Sequence, residues 1–410
     1  MDTKLPNMLL SYLQESKRNT RFFLESITRQ SNDKFEVYNI EEIKNTIICG
    51  DCLEELKKFP SECIDTIMTS PPYWGLRDYG VEGQLGLEKT LDEYLEKLLQ
   101  ITAELKRVLK PTGVMFWNHG DNYSSKTVTN RLFIQEGGRR SNNPLVGKFN
   151  LKVPEKCLAL QNYRLILKMI DEQGWILRNT IIWHKPNHMP RSVRDRFSNA
   201  YESVFMLVKK KKYWFDLDAV RIPAKYDSSG VREYREGNID NSYKPKEVRK
   251  ILEEYKGKNP GDVWQIPTQP SPFSESHHAT YPEKLCEKPI LSSCPQWVCK
   301  KCGKARERIV ETITVKKKER GSNPSDSRAF GPPQQSGIVS LHETKGWTNC
   351  GCNAGWKAGI VLDPFAGSCT TAVVAKKHKR NWIMIEINPK YCEMGRQRLN
   401  AIPEPLPLFE

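Results

Sequence analysis

The sequence predicts an α/β fold on a mostly parallel sheet, and three observations carry that prediction. Short apolar runs alternate with stretches of helical periodicity over residues 45–109 and again over 360–399. Several of those runs end in loops rich in Gly, Pro, Asp and Asn (NTIICGD, TIMTSPPYWG, VLDPFAGS), where open α/β sheets gather functional side chains. The closing segment reads strand, glycine turn, helix, strand and acidic residue, which is a Rossmann-like order. A chain of 410 residues can hold one large domain of this kind with insertions.

Taken in order, residues 1–45 are polar with helical spacing in places and read as an extension. Residues 45–51 form a short buried strand that ends in a Gly-Asp turn, and LEELKKF follows as a helix. The strand over 64–69 runs into SPPYWG, where two prolines forbid both helix and ladder pairing. Helical periodicity over 91–109 is stopped by the turn KPTG, and 114–117 is the next strand. Residues 124–150, rich in Gly, Asn and Arg, read as a basic surface loop. A helix over 155–172, a strand over 175–183 and strand-like runs over 203–208 and 213–215 continue the pattern. Residues 221–262 and 314–345 read as insertions, the second of low complexity. Strand 360–362, helix 370–378, strand 382–385 and helix 389–399 close the chain, and no internal repeat is evident.

Charge narrows the function. The 64 Lys and Arg against 49 Asp and Glu leave a formal charge of +15, the balance that attracts a polyanion. No apolar run spans a bilayer and the start lacks a signal-peptide core, so a soluble, cytoplasmic protein without a membrane partner is expected. Twelve cysteines in such a chain favour reduced thiols and metal ligation over disulfides. Cys299 and Cys302 form a knuckle-like CxxC, and Cys350 with Cys352 forms a CxC. Together they offer four soft ligands for a structural, tetrahedral zinc. Cys49 and Cys52 also form a CxxC, but they frame Asp51 in the main fold, where no metal is expected. Lys209 to Lys212 is a basic run suited to phosphate contact.

Two loops carry the chemistry. In VLDPFAGSC an acid and a glycine sit at a strand-to-helix turn, where backbone approaches a ligand closely and the helix offers free N–H groups. Glu386 ends the next strand, placed to accept from ribose hydroxyls, and the pair suits an adenosyl ligand. In SPPY, Ser70 Oγ and the Pro71 carbonyl are acceptors for an exocyclic base amine, whose lone pair is otherwise delocalised into the ring. Tyr73 can stack on an extruded base.

SPPY together with DPFAGS resembles the two signatures of the amino-methylating DNA methyltransferases. Their order, catalytic loop early and cofactor loop late, resembles the permuted beta group. The resemblance covers roughly residues 45–400, and IICGDC, LKRVLKPTGVMFWNHGDNY, ILRNTIIWHKPN and HHATYPEKL fall in the expected order. It implies an S-adenosylmethionine-dependent methyltransferase fold of permuted motif order, into which the segment carrying the four cysteines is read as inserting a zinc-ribbon-like module. It implies Ser70, Pro71, Pro72 and Tyr73 as catalytic. It implies a cofactor site of Asp51, His277, Thr280, Pro282, Asp363, Pro364, Phe365, Gly367, Ser368, Glu386 and Asn388. The family's glycine after GS is Cys369 here, which is strained if the turn needs positive φ.

The activity implied is site-specific transfer of a methyl group to cytosine N4 in double-stranded DNA by base flipping, because Ser opens the SPPY loop. Adenine N6 is the alternative, and a zinc-containing nucleic-acid-binding protein without catalysis is a third. A separately encoded restriction endonuclease is admitted as a partner, in a prokaryotic nucleoid-associated or phage-encoded setting. The chain then divides into an extension (1–45), the catalytic half (46–123), a basic loop suited to DNA (124–150) and core (151–218). There follow a candidate target-recognition insertion (219–275), core again (276–298), a zinc-binding insertion (299–356), the cofactor-binding part (357–402) and a tail (403–410).

Overall fold

The computed structural model describes residues 37–124, 153–190, 192–223, 256–269, 281–316 and 338–403. The first half contains α1 (Ile40–Ile43), β1 (Thr46–Cys49), α2 (Cys52–Lys57), β2 (Ile64–Thr69), α3 (Leu91–Val108), β3 (Leu109–His119), α4 (Gln161–Asp171), β4 (Ile176–His184) and β5 (Tyr201–Val208). Next come β6 (Ile222–Pro223), β7 (Lys256–Lys258), β8 (Val263–Gln265), α5 (Glu283–Ser293), β9 (Val298–Cys299), β10 (Arg308–Lys316) and β11 (Ile338–Trp347). The last are β12 (Trp356–Lys357), β13 (Ile360–Asp363), α6 (Thr370–Lys377), β14 (Asn381–Glu386) and α7 (Pro389–Asn400).

Among the described residues, eight strands form the central sheet in the order β1-β14-β13-β2-β3-β5-β4-β8. The strands from β1 through β3 are parallel to their neighbours, β5 is antiparallel to both β3 and β4, and β8 is parallel to β4. Parallel strands are buried on both faces, and all six residues of β2 are buried. Alternate side chains feed two cores: Ile67 and Leu362 pack with Leu56, Leu98 and Leu105 on one face. Met68 and Val361 pack with Ile290 and Val373 on the other. Helices α2, α3 and α4 thus cover one face, and α5, α6 and α7 the other. Helix α3 starts where Thr90 accepts a bond from the Glu93 N–H, with acids in its first turn and Lys106 and Arg107 in its last.

Several expected boundaries move. KPTG is no terminator: it lies within β3 as an irregularity, with Ile64 opposite Leu109 and Thr66 already opposite Val114. The helix expected from 155 begins at Gln161, because Ser124 and Ala159 N–H bond to Cys157 and Asn122 carbonyls and Asp121 accepts from the N–H of Leu160 and Gln161. Residues 213–215 are not a strand. The segment read as the insertion 219–275 contributes β8 to the sheet, and part of the low-complexity stretch is β11, paired antiparallel with β10. The extension 1–36 and most of the basic loop 124–150 lie outside the described residues.

Candidate active site

The carboxyl ends of β1, β14, β13, β2 and β3 meet around a cavity of about 380 Å³. Strand order reverses between β13 and β2, with β14 added on one side and β3 on the other, and the crevice left there has room for a ligand. One wall holds Asp51, Pro364, Phe365, Gly367, Ser368 and Glu386; the other holds Ser70, Pro71, Pro72 and Tyr73.

On the first wall, Glu386 accepts from the N–H of Gly367 and of Asn388, each at 2.8 Å. Burial pushes its carboxyl up, while those two N–H groups pull it back. Asp51 caps α2 by accepting from the N–H of Leu53 and Glu54 at 2.9 and 3.1 Å. Arg398 holds the Ser368 carbonyl and hydroxyl at 2.7 and 2.9 Å.

Asp363 does not line the cavity. Its fully buried carboxylate accepts from Thr69 Oγ1 at 2.6 Å, from Tyr281 and Thr371 hydroxyls at 2.7 Å each, and from the Phe365 N–H at 3.1 Å. It ties β13, β2 and α6 together under the loop. Asn388 likewise lies behind the wall, capping α7 through the Lys390 N–H at 3.0 Å. Pro282 precedes α5 without lining the cavity, whereas its neighbour Tyr281 does line it. His277 and Thr280 lie outside the described residues.

The second wall has partners that the motif did not reveal. Tyr73 donates to Glu202 Oε2 at 2.9 Å, and Asn118 Nδ2 lies 3.1 Å from the same oxygen, 3.2 Å from the Tyr73 hydroxyl and 3.3 Å from Ser70 Oγ. Lys185 pairs with the other Glu202 oxygen and lies over the Trp183 ring at 4.2 Å. Burial beside the Glu202 carboxylate pushes the Tyr73 phenol well up, so it stays a proton donor. The carboxylate fixes which end of the Asn118 amide is nitrogen, and the buried Asn118 Oδ1 has no hydrogen-bond partner among the described residues. Arg77 Nη1 is likewise buried with no partner among the described residues, so two residues lining the cavity offer an acceptor and a cationic donor to a ligand. Asn118, Trp183, Lys185 and Glu202 all sit at strand ends on the side of the sheet that SPPY occupies. That shared end was the signal available, and it needed the antiparallel placement of β5 to be used.

Sulfur atoms of Cys299, Cys302, Cys350 and Cys352 lie within 4.8 Å of one another, the arrangement a metal ion needs. β9 and β12 pair antiparallel to bring the two segments together, with Trp356 opposite Cys299. The N–H groups of Cys302 and Lys301 pull the Cys299 thiol down to about 6. The module is clamped to the loop after β5 by the Arg308–Asp216 pair at 2.7 Å and by Trp214 Nε1 donating to the Arg306 carbonyl at 2.9 Å. That loop and the start of β13 are at the amino end of the parallel strands, opposite the cavity. Lys209, bonded to Glu62 at 3.0 Å, is at the same end. The basic run Lys209 to Lys212, expected to contact phosphate, therefore lies away from the cavity, as do Lys300, Lys301 and Lys304 of the cysteine module. Arg306 is occupied with the Thr348 carbonyl and the Trp356 ring.

Fold and cavity together define an α/β protein that gathers the DPFAGS and SPPY loops as two walls of one cavity at the carboxyl ends of one sheet. The family model described as DNA methylase, of the N6/N4 type, matches residues 64–297 and 353–397, and the chain belongs to that family. It is a DNA methyltransferase of the amino-methylating kind. The chain is 30% identical over 356 residues to the Type II methyltransferase M.Cfr9I of Citrobacter freundii, covering 87% of this chain and 88% of that one. It is 27% identical over 360 residues to the DNA adenine methyltransferase YhdJ of Escherichia coli, covering 87% and 83%. The solved structure of the PvuII DNA methyltransferase (cytosine-N4-specific) matches with a TM-score of 0.49 at 21% identity, over 87% of this chain and 88% of that one. Among the described residues, no helix is long and apolar enough to cross a membrane.

Proposed function

We propose that this chain methylates the exocyclic N4 of a cytosine flipped out of double-stranded DNA. The observation that supports this reading best is that one cavity joins the Glu386–Gly367 wall to the Ser70–Tyr73 loop, because direct transfer requires donor and acceptor in a single water-poor space. S-adenosylmethionine supplies an electrophilic methyl carbon bound to a sulfonium sulfur. Glu386 and Asp51 suit its ribose and adenine, and Arg77 suits an anionic group.

Ser70 Oγ, the Pro71 carbonyl and Asn118 Oδ1 are acceptors for the amine hydrogens. Holding those hydrogens pyramidalises the nitrogen and frees its lone pair. The bound donor would give its methyl carbon to that lone pair and leave as a neutral thioether, while the surplus amine proton would pass to solvent or an adjacent acceptor. Glu202, already bonded to Tyr73, Asn118 and Lys185, orients the acceptors. Asp363 is proposed to act on the cofactor only through the turn it ties down. The four cysteines are proposed to hold zinc in a closed structural site. The Type II names of relatives such as M.Cfr9I support a place beside a separately encoded endonuclease.

Base-modification sequencing of DNA from cells expressing the chain tests the reading. N4-methylcytosine at one recognition sequence is the expected result, and Ser70→Ala should lower it by about tenfold or more, the worth of one hydrogen bond near 1.4 kcal/mol. N6-methyladenine instead would transfer the same site to the adenine reading, which the likeness to YhdJ favours.

A further inference from the structure

The loop joining β4 to β5 stands on the cavity wall. Its two feet are closed by the Lys185 N–H bonding to the Ala200 carbonyl at 2.7 Å, and Trp183, Lys185 and Glu202 at those feet line the cavity. The loop is held from several sides. Asn187 exchanges two hydrogen bonds with the backbone of Thr268, at 3.1 and 2.8 Å. The Arg196 guanidinium lies 3.8 Å over the Tyr123 ring, and both groups bond to Asn199 Oδ1 at 3.3 Å. Lys156 pairs with Asp195 at 2.8 Å.

Against this bracing, Phe197 is 96% exposed and Met189 on the same loop is 85% exposed. A fixed loop that offers an aromatic ring to water beside a catalytic cavity has no folding reason for doing so. Arg194 is exposed on the same loop, and the protein carries a formal charge of +15.

We propose that Phe197 is a wedge that enters the base stack of duplex DNA at the place vacated by the flipped target base. This rests on the methyltransferase reading above. Extruding a base leaves a one-base gap, and filling that gap with a flat apolar ring offsets part of the lost stacking. The loop is correctly placed for it, because its feet are the wall that receives the extruded base. Arg194 meets the phosphates that pass over the rim. A protein partner or a second copy seated on this loop would obstruct the entrance that the reaction needs open, which favours DNA as the occupant.

The test uses the full chain and a duplex carrying the recognition sequence mapped by base-modification sequencing. A second duplex has the target base opposite an abasic position, so that it is already unpaired. Phe197→Ala should lower kcat/KM on the paired duplex by about tenfold or more and on the unpaired one by less than about threefold, with S-adenosylmethionine affinity unchanged. Phe197→Trp should keep most of the paired-duplex rate. Because the side chain is almost fully exposed in the free protein, neither substitution endangers folding. Equal losses on both duplexes, or no loss on either, overturn the wedge while leaving the enzyme reading intact. Failure of the wild-type chain to methylate any DNA overturns the enzyme reading and the wedge with it.

Discussion

Cys369 stands where the family's glycine is expected, and its φ of 62° puts it in the left-handed region that glycine favours. Strain there is bearable because the side chain has been given room: a Cβ added at Gly395 would lie 2.4 Å from Cys369 Sγ. The two positions form a complementary pair between the cofactor turn and α7. Gly395→Ala should therefore destabilise the protein by about 1–3 kcal/mol through overpacking, and Cys369→Gly in that background should recover most of the loss. Urea denaturation of the four chains measures this, and strictly additive effects would sink the coupling. Asp363 carries a similar lesson. An acid at the end of a strand was read as a cofactor ligand, yet four hydrogen bonds from the protein occupy it. Residue type and position identified the loop; only the neighbours showed what the carboxylate does. Ser70 and Tyr73 were legible from SPPY, whereas Glu202 and Asn118, which orient them, lie in ordinary strand sequence.

At the scale of elements, the SPPY loop is held by α3 and β3. Tyr94 donates to the Pro72 carbonyl at 2.8 Å and lies 3.2 Å from His119 Nε2. His119 Nδ1 accepts from Trp117 Nε1 at 3.4 Å, so the imidazole is neutral with its proton on Nε2. Burial lowers its pKa to about 3 from 6.5. Between those values the unfolded chain binds the proton and the folded chain does not. Stability from this residue is thus fully present above pH 6.5 and falls as pH drops toward 3, by at most about 1.4 kcal/mol per pH unit. Denaturation of the wild type and His119→Asn at several pH values should show a steeper acid slope for the wild type, and equal slopes would remove the assignment. Most elements of the core were legible because strand runs and helical periodicity bury continuous faces. The exceptions had short or irregular pairing: KPTG is a disruption within a ladder, β8 has only three residues, and β10 and β11 find each other across a stretch with no apolar pattern.

For the whole molecule, the two proposed functions of the sequence, catalysis and metal binding, sit at opposite ends of one sheet. The prediction that follows is a separation of effects. Cys299→Ser with Cys302→Ser should lower bound zinc from about one per chain to near none, because two thiolates cannot replace a tetrahedral set. It should reduce thermal stability and leave S-adenosylmethionine affinity unchanged. Elemental analysis with melting curves is the measurement, and a metal-free preparation as stable as the wild type would rule the structural zinc out. The sequence by itself determined the α/β class, the amino-methylating family, the SPPY and DPFAGS loops and the four cysteines. The two loops are written in contiguous residues and the cysteines in two short pairs, so their local geometry depends on prolines, glycines and spacing, and the fold class follows from repeated periodicity along the chain. The tertiary structure alone decided the placing of Asn118, Lys185 and Glu202 beside SPPY, the hydrogen bonding of Asp363, the place of the Lys209–Lys212 run away from the cavity and the exposure of Phe197. These depend on which strand ends face the same way, and strand order and direction arise from packing between segments far apart in the chain.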